Sequence, residues 1–221
     1  HGNVKNYGDI MKIDGKDLGE IDIFTWSFPC TDLSKAGKQK GLNGTRSGLG
    51  YQVIRIISEM AIKPKMLLME NVPDLLSEKF KLGWREMYHE IEKLGYTNYV
   101  EVLNAKDYGV AQNRDRVFIV SVLGDYAYEF PKPFKLEKRL KDYLEDDVDE
   151  KYYLSDERIY KIKKWKSQQN PLDNILDNNS ICPTITARGA GENHSGMIIV
   201  KDNKGLRTIS HKESWRLMGI S

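Results

Sequence analysis

Cysteine is scarce in this chain of 221 residues: Cys30 and Cys182 are the only two. They stand far apart and in no Cys-x-x-Cys pair, which excludes a disulfide scaffold and a cysteine-rich zinc site, so no metal is expected. Long apolar runs are missing too. Nothing approaches the roughly 20 residues of a membrane span, and no signal-peptide pattern opens the sequence. The expectation is a cytoplasmic protein with no membrane partner. The net charge of +2 does not announce a nucleic-acid binder either. Charge is nevertheless uneven: residues 158–166 (RIYKIKKWK) are basic and 145–150 (EDDVDE) acidic, each readable as a solvated face. Internal repeats are absent. The sequence starts at His1 without an initiator methionine, which reads as a fragment or a trimmed chain.

What is present is an alternation of strand and helix patterns. Residues 21–29 (IDIFTWSFP) read as a short buried strand ending in a Pro-Cys turn. The stretch 34–48, rich in Gly, Ser and basic residues, has no periodicity and reads as a mobile loop. Leu49, Val53, Ile56, Ile57 and Met60 then share one face at helical spacing, predicting an amphipathic helix over 49–62 closed by Pro64. An apolar strand over 65–69 runs into Glu70-Asn71-Val72. A helix over 82–94 and strands over 96–103 and 116–123 follow. This order predicts an α/β sheet with crossover helices, whose ligand site lies beyond the carboxyl ends of the strands. Cys30 and Glu70 both fall at such ends. Beyond residue 130 proline, charge and polar residues increase and periodicity weakens. Residues 155–167 can form a basic helix, and 181–200 reads as short strands around a Gly-rich loop. We therefore divide the chain into a catalytic core over 1–130, a smaller loop-rich domain over 131–205 and a return to the core over 206–221.

A lone intracellular cysteine is most often a buried small hydrophobe, but the neighbours of Cys30 argue otherwise. It follows proline at a strand end, and Lys35, Lys38, Lys40 and Arg46 come soon after it; basic surroundings and exposure favour a thiolate. A thiolate of this kind can add across an electron-poor ring and make the adjacent carbon nucleophilic, provided an acid serves the ring nitrogen. Glu70 can supply that acid, or it can be a plain surface carboxylate. Alternation places Arg114 and Arg116 on one side of an entering strand, where paired guanidiniums can hold a phosphate and a base carbonyl; solvated edge charges are the plain alternative.

Taken together, these segments resemble the DNA cytosine-C5 methyltransferase family, of the bacterial and phage restriction-modification type. The family's Pro-Cys loop looks like Phe28-Pro29-Cys30-Thr31-Asp32-Leu33-Ser34-Lys35-Ala36-Gly37, followed by Thr45-Arg46-Ser47-Gly48-Leu49. Its Glu-Asn-Val motif stands at Glu70-Asn71-Val72. Asn104-Ala105 and Asp107-Tyr108-Gly109-Val110 lead into Gln112-Asn113-Arg114-Asp115-Arg116, similar to the family's Gln-x-Arg-x-Arg motif. Arg207, Glu213, Arg216, Leu217, Met218 and Gly219 resemble the motif that resumes the core after the recognition domain, and Gly8-Asp9-Ile10 the element lining the donor's adenine. The motifs keep the family's order from residue 8 to residue 219.

The resemblance implies a Rossmann-like class I methyltransferase sheet with a target recognition domain over 131–205. It implies S-adenosylmethionine as donor, and duplex DNA from which one cytosine is flipped and methylated at C5. Cys30 is then the nucleophile, Glu70 contacts N3 and the exocyclic amine, and Arg116, with Arg114 beside it, supports the base. Asp9, Ile10, Pro29 and Leu49 would lie at the donor, and Ser34, Arg46, Gln112 and Arg188 at the DNA. Asn71 would fix the loop geometry, and Val72 would pack near the donor. Thr184-Ile185, or Thr186 with Arg188, is the candidate base-reading loop. A separately encoded restriction endonuclease is a possible partner. Two departures stand out: Thr31 replaces the usual glutamine, and neither the Gly-rich donor-binding strand nor the C-terminal closing segment falls within the chain. A catalytically silent or split DNA-binding piece, and a tRNA methyltransferase sharing this core, are the alternative readings.

Overall fold

Four strands and two helices arise where the apolar patterns predict them. The structure, a computed structural model, describes residues 5–28, 48–165, 170–185 and 197–220. By internal contacts it divides into a first unit, His1–Leu103 with Asp115–Pro131, and a second, Asn104–Arg114 with Lys132–Ser221.

In the first unit, β1 (Ile23–Trp26), α1 (Leu49–Glu59), β2 (Met66–Asn71), α2 (Lys81–Lys93), β3 (Tyr96–Asn104) and β5 (Asp115–Leu123) build a sheet of order β1-β2-β5-β3. β1 and β2 run parallel, joined through α1 as a crossover requires. The sheet is mixed rather than wholly parallel, because β5 runs antiparallel to β2. Two bounds differ from expectation. α1 stops three residues early, since Met60 is already extended (φ −62°, ψ 135°). β2 runs two residues longer, so Glu70 and Asn71 belong to the strand itself and not to a loop after it.

Strand periodicity now assigns their faces. Leu67, Met69 and Asn71 point into the core while Glu70 points away, as a period of two demands. Phe28, Val53, Ile57, Met87, Ile91 and Val117 pack with them between sheet and helices. Gly50 permits this packing: a Cβ there would lie 2.8 Å from Met87 Cε and 3.3 Å from Phe28. The end of β1 is thereby wedged against α1.

The second unit has only short elements among its described residues. It holds β4 (Gln112–Asn113) parallel to β6 (Cys182–Pro183), the antiparallel pair β7 (Ile199–Lys201) and β8 (Leu206–Thr208), and helices α3 (Asp156–Lys163) and α4 (His211–Leu217). Its composition differs from the expected division in both directions. Residues 104–114 belong to it, because β4 pairs β6. Residues 206–220 remain in it instead of rejoining the first unit, because β8 pairs β7 and α4 packs Leu217 with Leu140, Tyr143 and Ile198.

A buried ion network ties this end together. Arg207, 1% exposed, donates from Nη1 and Nη2 to the two carboxylate oxygens of Glu213 at 2.9 Å each, and from Nε to Asp202 at 2.8 Å. Glu213 is wholly buried and also accepts the backbone N–H of Glu145 (2.8 Å). Ser210 caps α4, its hydroxyl and the Glu213 carboxylate each taking the other residue's backbone N–H. Burial works against the Arg207 charge, but the bonds to Glu213 and Asp202 outweigh it and hold the guanidinium above its usual range.

Candidate active site

The parallel run of β1 and β2 brings their carboxyl ends together, and the antiparallel β5 starts beside them. Register pairs Trp26 with Met69, Glu70 with Phe118 and Asn71 with Val117. Arg116 therefore arrives next to Glu70, and its Nε lies 2.7 Å from Glu70 Oε1. Arg116 is the more enclosed partner, with 17% of its side chain exposed against 38% for Glu70. Its Nη1 also donates to the Asp115 carbonyl at 2.7 Å. A charge-assisted bond of this length fixes where the carboxylate sits on the open face.

Asn71 acts on the other side of the strand. Its Nδ2 donates to the Phe28 carbonyl at 2.8 Å, and its Oδ1 accepts the N–H of Val72 at 2.9 Å. Both bonds are shielded, Asn71 being 5% exposed. Ser27 adds a third tie, its hydroxyl donating to the Glu70 carbonyl at 2.8 Å. Stacked Trp26 and Phe28 rings, 5.7 Å apart, stiffen the same strand end. The chain is thus anchored two residues before Cys30. The Ser27 tie carries no sequence signal, since a serine at a strand end has many commoner uses.

The remaining expected site residues fall as follows. Pro29, Cys30, Ser34, Arg46, Thr186 and Arg188 lie outside the described residues. Asp9 is exposed and caps a short turn by accepting the Met11 N–H at 3.0 Å, while Ile10 is half-buried against the core. Leu49 opens α1 and Val72 precedes a short turn; they are 39% and 38% exposed.

Gln112 departs from expectation. Its side chain is buried, 1% exposed, with Nε2 donating to the Leu217 carbonyl (2.8 Å) and Oε1 accepting the Ile185 N–H (3.4 Å). In this structure the side chain is engaged by two buried backbone groups. Ile185 is likewise buried, and the Thr184 hydroxyl donates to the Asn113 carbonyl at 2.8 Å. The predicted pairing of Arg114 with Arg116 also resolves into separate engagements. Arg114 lies between β4 and β5 and donates from Nη1 to the Ile185 carbonyl (3.4 Å), while Arg116 holds Glu70. Gln112→Leu should cost about 1–3 kcal/mol, because it strands a buried carbonyl and a buried N–H. Urea unfolding measures this, and a loss below about 0.5 kcal/mol would remove the amide from that role.

Solved structures resemble this one in fold. The Schizosaccharomyces pombe Dnmt2 methyltransferase aligns over 100% of the chain and 74% of its own, with a TM-score of 0.77 at 22% identity. A putative DNA modification methyltransferase encoded within an E. coli prophage aligns over 96% of this chain and 74% of its own, at 0.62 and 20%. The likeness is one of fold. The family model for C-5 cytosine-specific DNA methylase matches residues 1–221, and the chain belongs to that family. Curated relatives include the type II methyltransferase M2.ScrFI of Lactococcus lactis subsp. cremoris, 37% identical over 98% of this chain and 61% of its own length. The orphan methyltransferase M.SssI of Spiroplasma monobiae is 35% identical over 99% of this chain and 60% of its own, and M.HaeII of Haemophilus aegyptius 34% over 98% and 68%. The chain spans about three fifths of the length of the first two. Among the described residues no helix is long and apolar enough to cross a membrane.

Proposed function

We propose that the protein methylates C5 of a cytosine flipped out of duplex DNA, through a covalent adduct at Cys30. The observation that carries this reading is the convergence of Glu70, held by Arg116, with a strand end that Asn71 anchors two residues before Cys30.

The Cys30 thiolate bonds to C6 of the ring, the C5–C6 π pair moves to C5, and the Glu70 carboxyl delivers a proton to N3 while accepting from the exocyclic amine. Arg116 keeps Glu70 in line for that transfer. C5 then bonds the methyl as the donor's S–CH3 bond breaks, its electron pair returning to sulfur so that S-adenosylhomocysteine would leave. Loss of the C5 proton to a base, return of the N3 proton to Glu70 and cleavage of the C6–S bond restore the aromatic ring and the thiolate. S-adenosylmethionine would supply the methyl as an electrophile. An adenine needs an apolar side chain against its ring and an acceptor for its amino group, and Ile10 with exposed Asp9 fits that need where Gly8 turns the backbone at φ 77°. Duplex DNA is the substrate in this reading, and the second unit contributes to its recognition. The curated relatives named as type II enzymes support a restriction-modification setting and, with it, a separately encoded endonuclease partner.

Duplexes carrying 5-fluorocytosine at the target test the covalent step, since fluorine blocks loss of the C5 proton. With donor present, a shifted band on a denaturing gel is expected, and Cys30→Ser should abolish it. A preparation that methylates ordinary DNA but yields no such band would sink the covalent route.

A further inference from the structure

From Lys5 to Glu20 the chain has almost no core of its own. Gly15 is the one buried residue in that stretch, and the two short turns at Ile10–Lys12 and Gly15–Asp17 are capped by their own aspartates. What holds the stretch to the first unit is largely polar. Glu59 Oε2 on α1 accepts the Gly15 N–H at 2.9 Å. Arg55, one turn earlier, donates from Nη2 to the Ile10 carbonyl at 3.2 Å and from Nη1 to both Glu59 oxygens at 2.8 and 2.9 Å. Gln52 steadies the same guanidinium through Nε at 2.8 Å. Gly15 fits by lacking a side chain: a Cβ would stand 2.1 Å from the Ile56 carbonyl oxygen and 2.8 Å from Glu59 Cβ.

We propose that Arg55 and Glu59 are positioning residues for the methyl donor, holding Asp9 and Ile10 at the adenine position through the Ile10 carbonyl and the Gly15 N–H. The inference rests on the reading of Asp9-Ile10 as the donor-lining element. Neither residue touches the donor. Beside the packing of Ile10 against the core, these two backbone contacts set where the stretch rests on α1, and a shift of that rest position moves Ile10 with it. The Gly15 N–H and Arg55 also hold the Glu59 carboxyl below its ordinary range, so the clamp stays charged at neutral pH.

Two variants disturb the clamp in unrelated ways. Glu59→Gln removes the charge, and Gly15→Ala pushes the stretch away by its Cβ alone. Binding of S-adenosylhomocysteine, measured by titration calorimetry on the whole protein, should weaken about tenfold in each, the size of losing one charge-assisted bond. The double variant should lose little more than either, because both act through one displacement. Amide hydrogen exchange over residues 9–16 should accelerate while α1 stays protected, and affinity for duplex DNA should hold within twofold. A parallel fall in DNA affinity and thermal stability would overturn the proposal in favour of a general scaffold role. Asp9→Ala separates the layers. If it weakens binding while Glu59→Gln and Gly15→Ala do not, the clamp is wrong; if it too leaves binding unchanged, the adenine reading of Asp9-Ile10 is wrong and the clamp falls with it.

Discussion

Cys30→Ser is expected to lower methyl transfer to duplex DNA by at least about a thousandfold, with DNA affinity kept within a fewfold of the parent protein. The serine hydroxyl stays protonated at neutral pH, so the anion that adds to C6 is lost while shape and volume at the turn barely change. Tritiated methyl incorporation with a gel-shift control measures both halves. Activity within tenfold of the parent would take Cys30 out of the nucleophile's role. The second cysteine cannot stand in for it: Cys182 is buried, and burial pushes its thiol up to about 12. It stays neutral and shielded at any pH of interest, the ordinary fate of a core cysteine.

Arg207→Met carries the largest expected loss of stability. It leaves Glu213, wholly buried, without the guanidinium that compensates its charge, and breaking a buried pair from one side costs about 3–5 kcal/mol. For a chain of this size that lowers the melting temperature by roughly 10 °C. Adding Glu213→Gln to Arg207→Met should recover part of the loss, since the stranded charge goes with it. Thermal unfolding followed by circular dichroism checks both, and a loss under about 1 kcal/mol for Arg207→Met would show that solvent or Lys212 takes over the compensation.

The parts of the fold that sequence made legible are those governed by local periodicity. Helices α1 and α2 and strands β3 and β5 fall within a few residues of expectation because apolar spacing alone dictates them. The direction of β5 is a pairing property and leaves no mark on composition, so the mixed sheet had to be seen. At the site, Glu70 was readable as a residue near a strand end, while Cys30 lies outside the described residues; the structure adds why Glu70 faces outward: β2 extends through it, and the strand's period of two turns Asn71 inward instead. The engagement of Gln112 was not legible for a physical reason. Its amide can read a base edge or satisfy two backbone groups, and only the fold reveals that Leu217 and Ile185 claim it. The partners of Arg114 and Arg116 were not legible either, since a spacing of two residues does not say which groups each will find. The return at 206–221 was read from motif order, whereas the β7–β8 pairing and the Arg207–Glu213 bond keep that segment in the second unit.

The order in which the chain visits its two units has a consequence for synthesis. It leaves the first after Leu103, comes back at Asp115 and leaves again after Pro131. β5, the strand that separates β2 from β3 in the sheet, is therefore the last of its sheet to be made. Until about residue 123 has cleared the ribosome, β2 lacks its β5 partner and β3 has no neighbour among the described strands. Apolar faces meant for the core stay exposed meanwhile, an interval in which misassociation competes with folding. A chain truncated anywhere before Asp115 would yield strands that cannot form this sheet, and no single cut in the chain separates the two units into contiguous pieces.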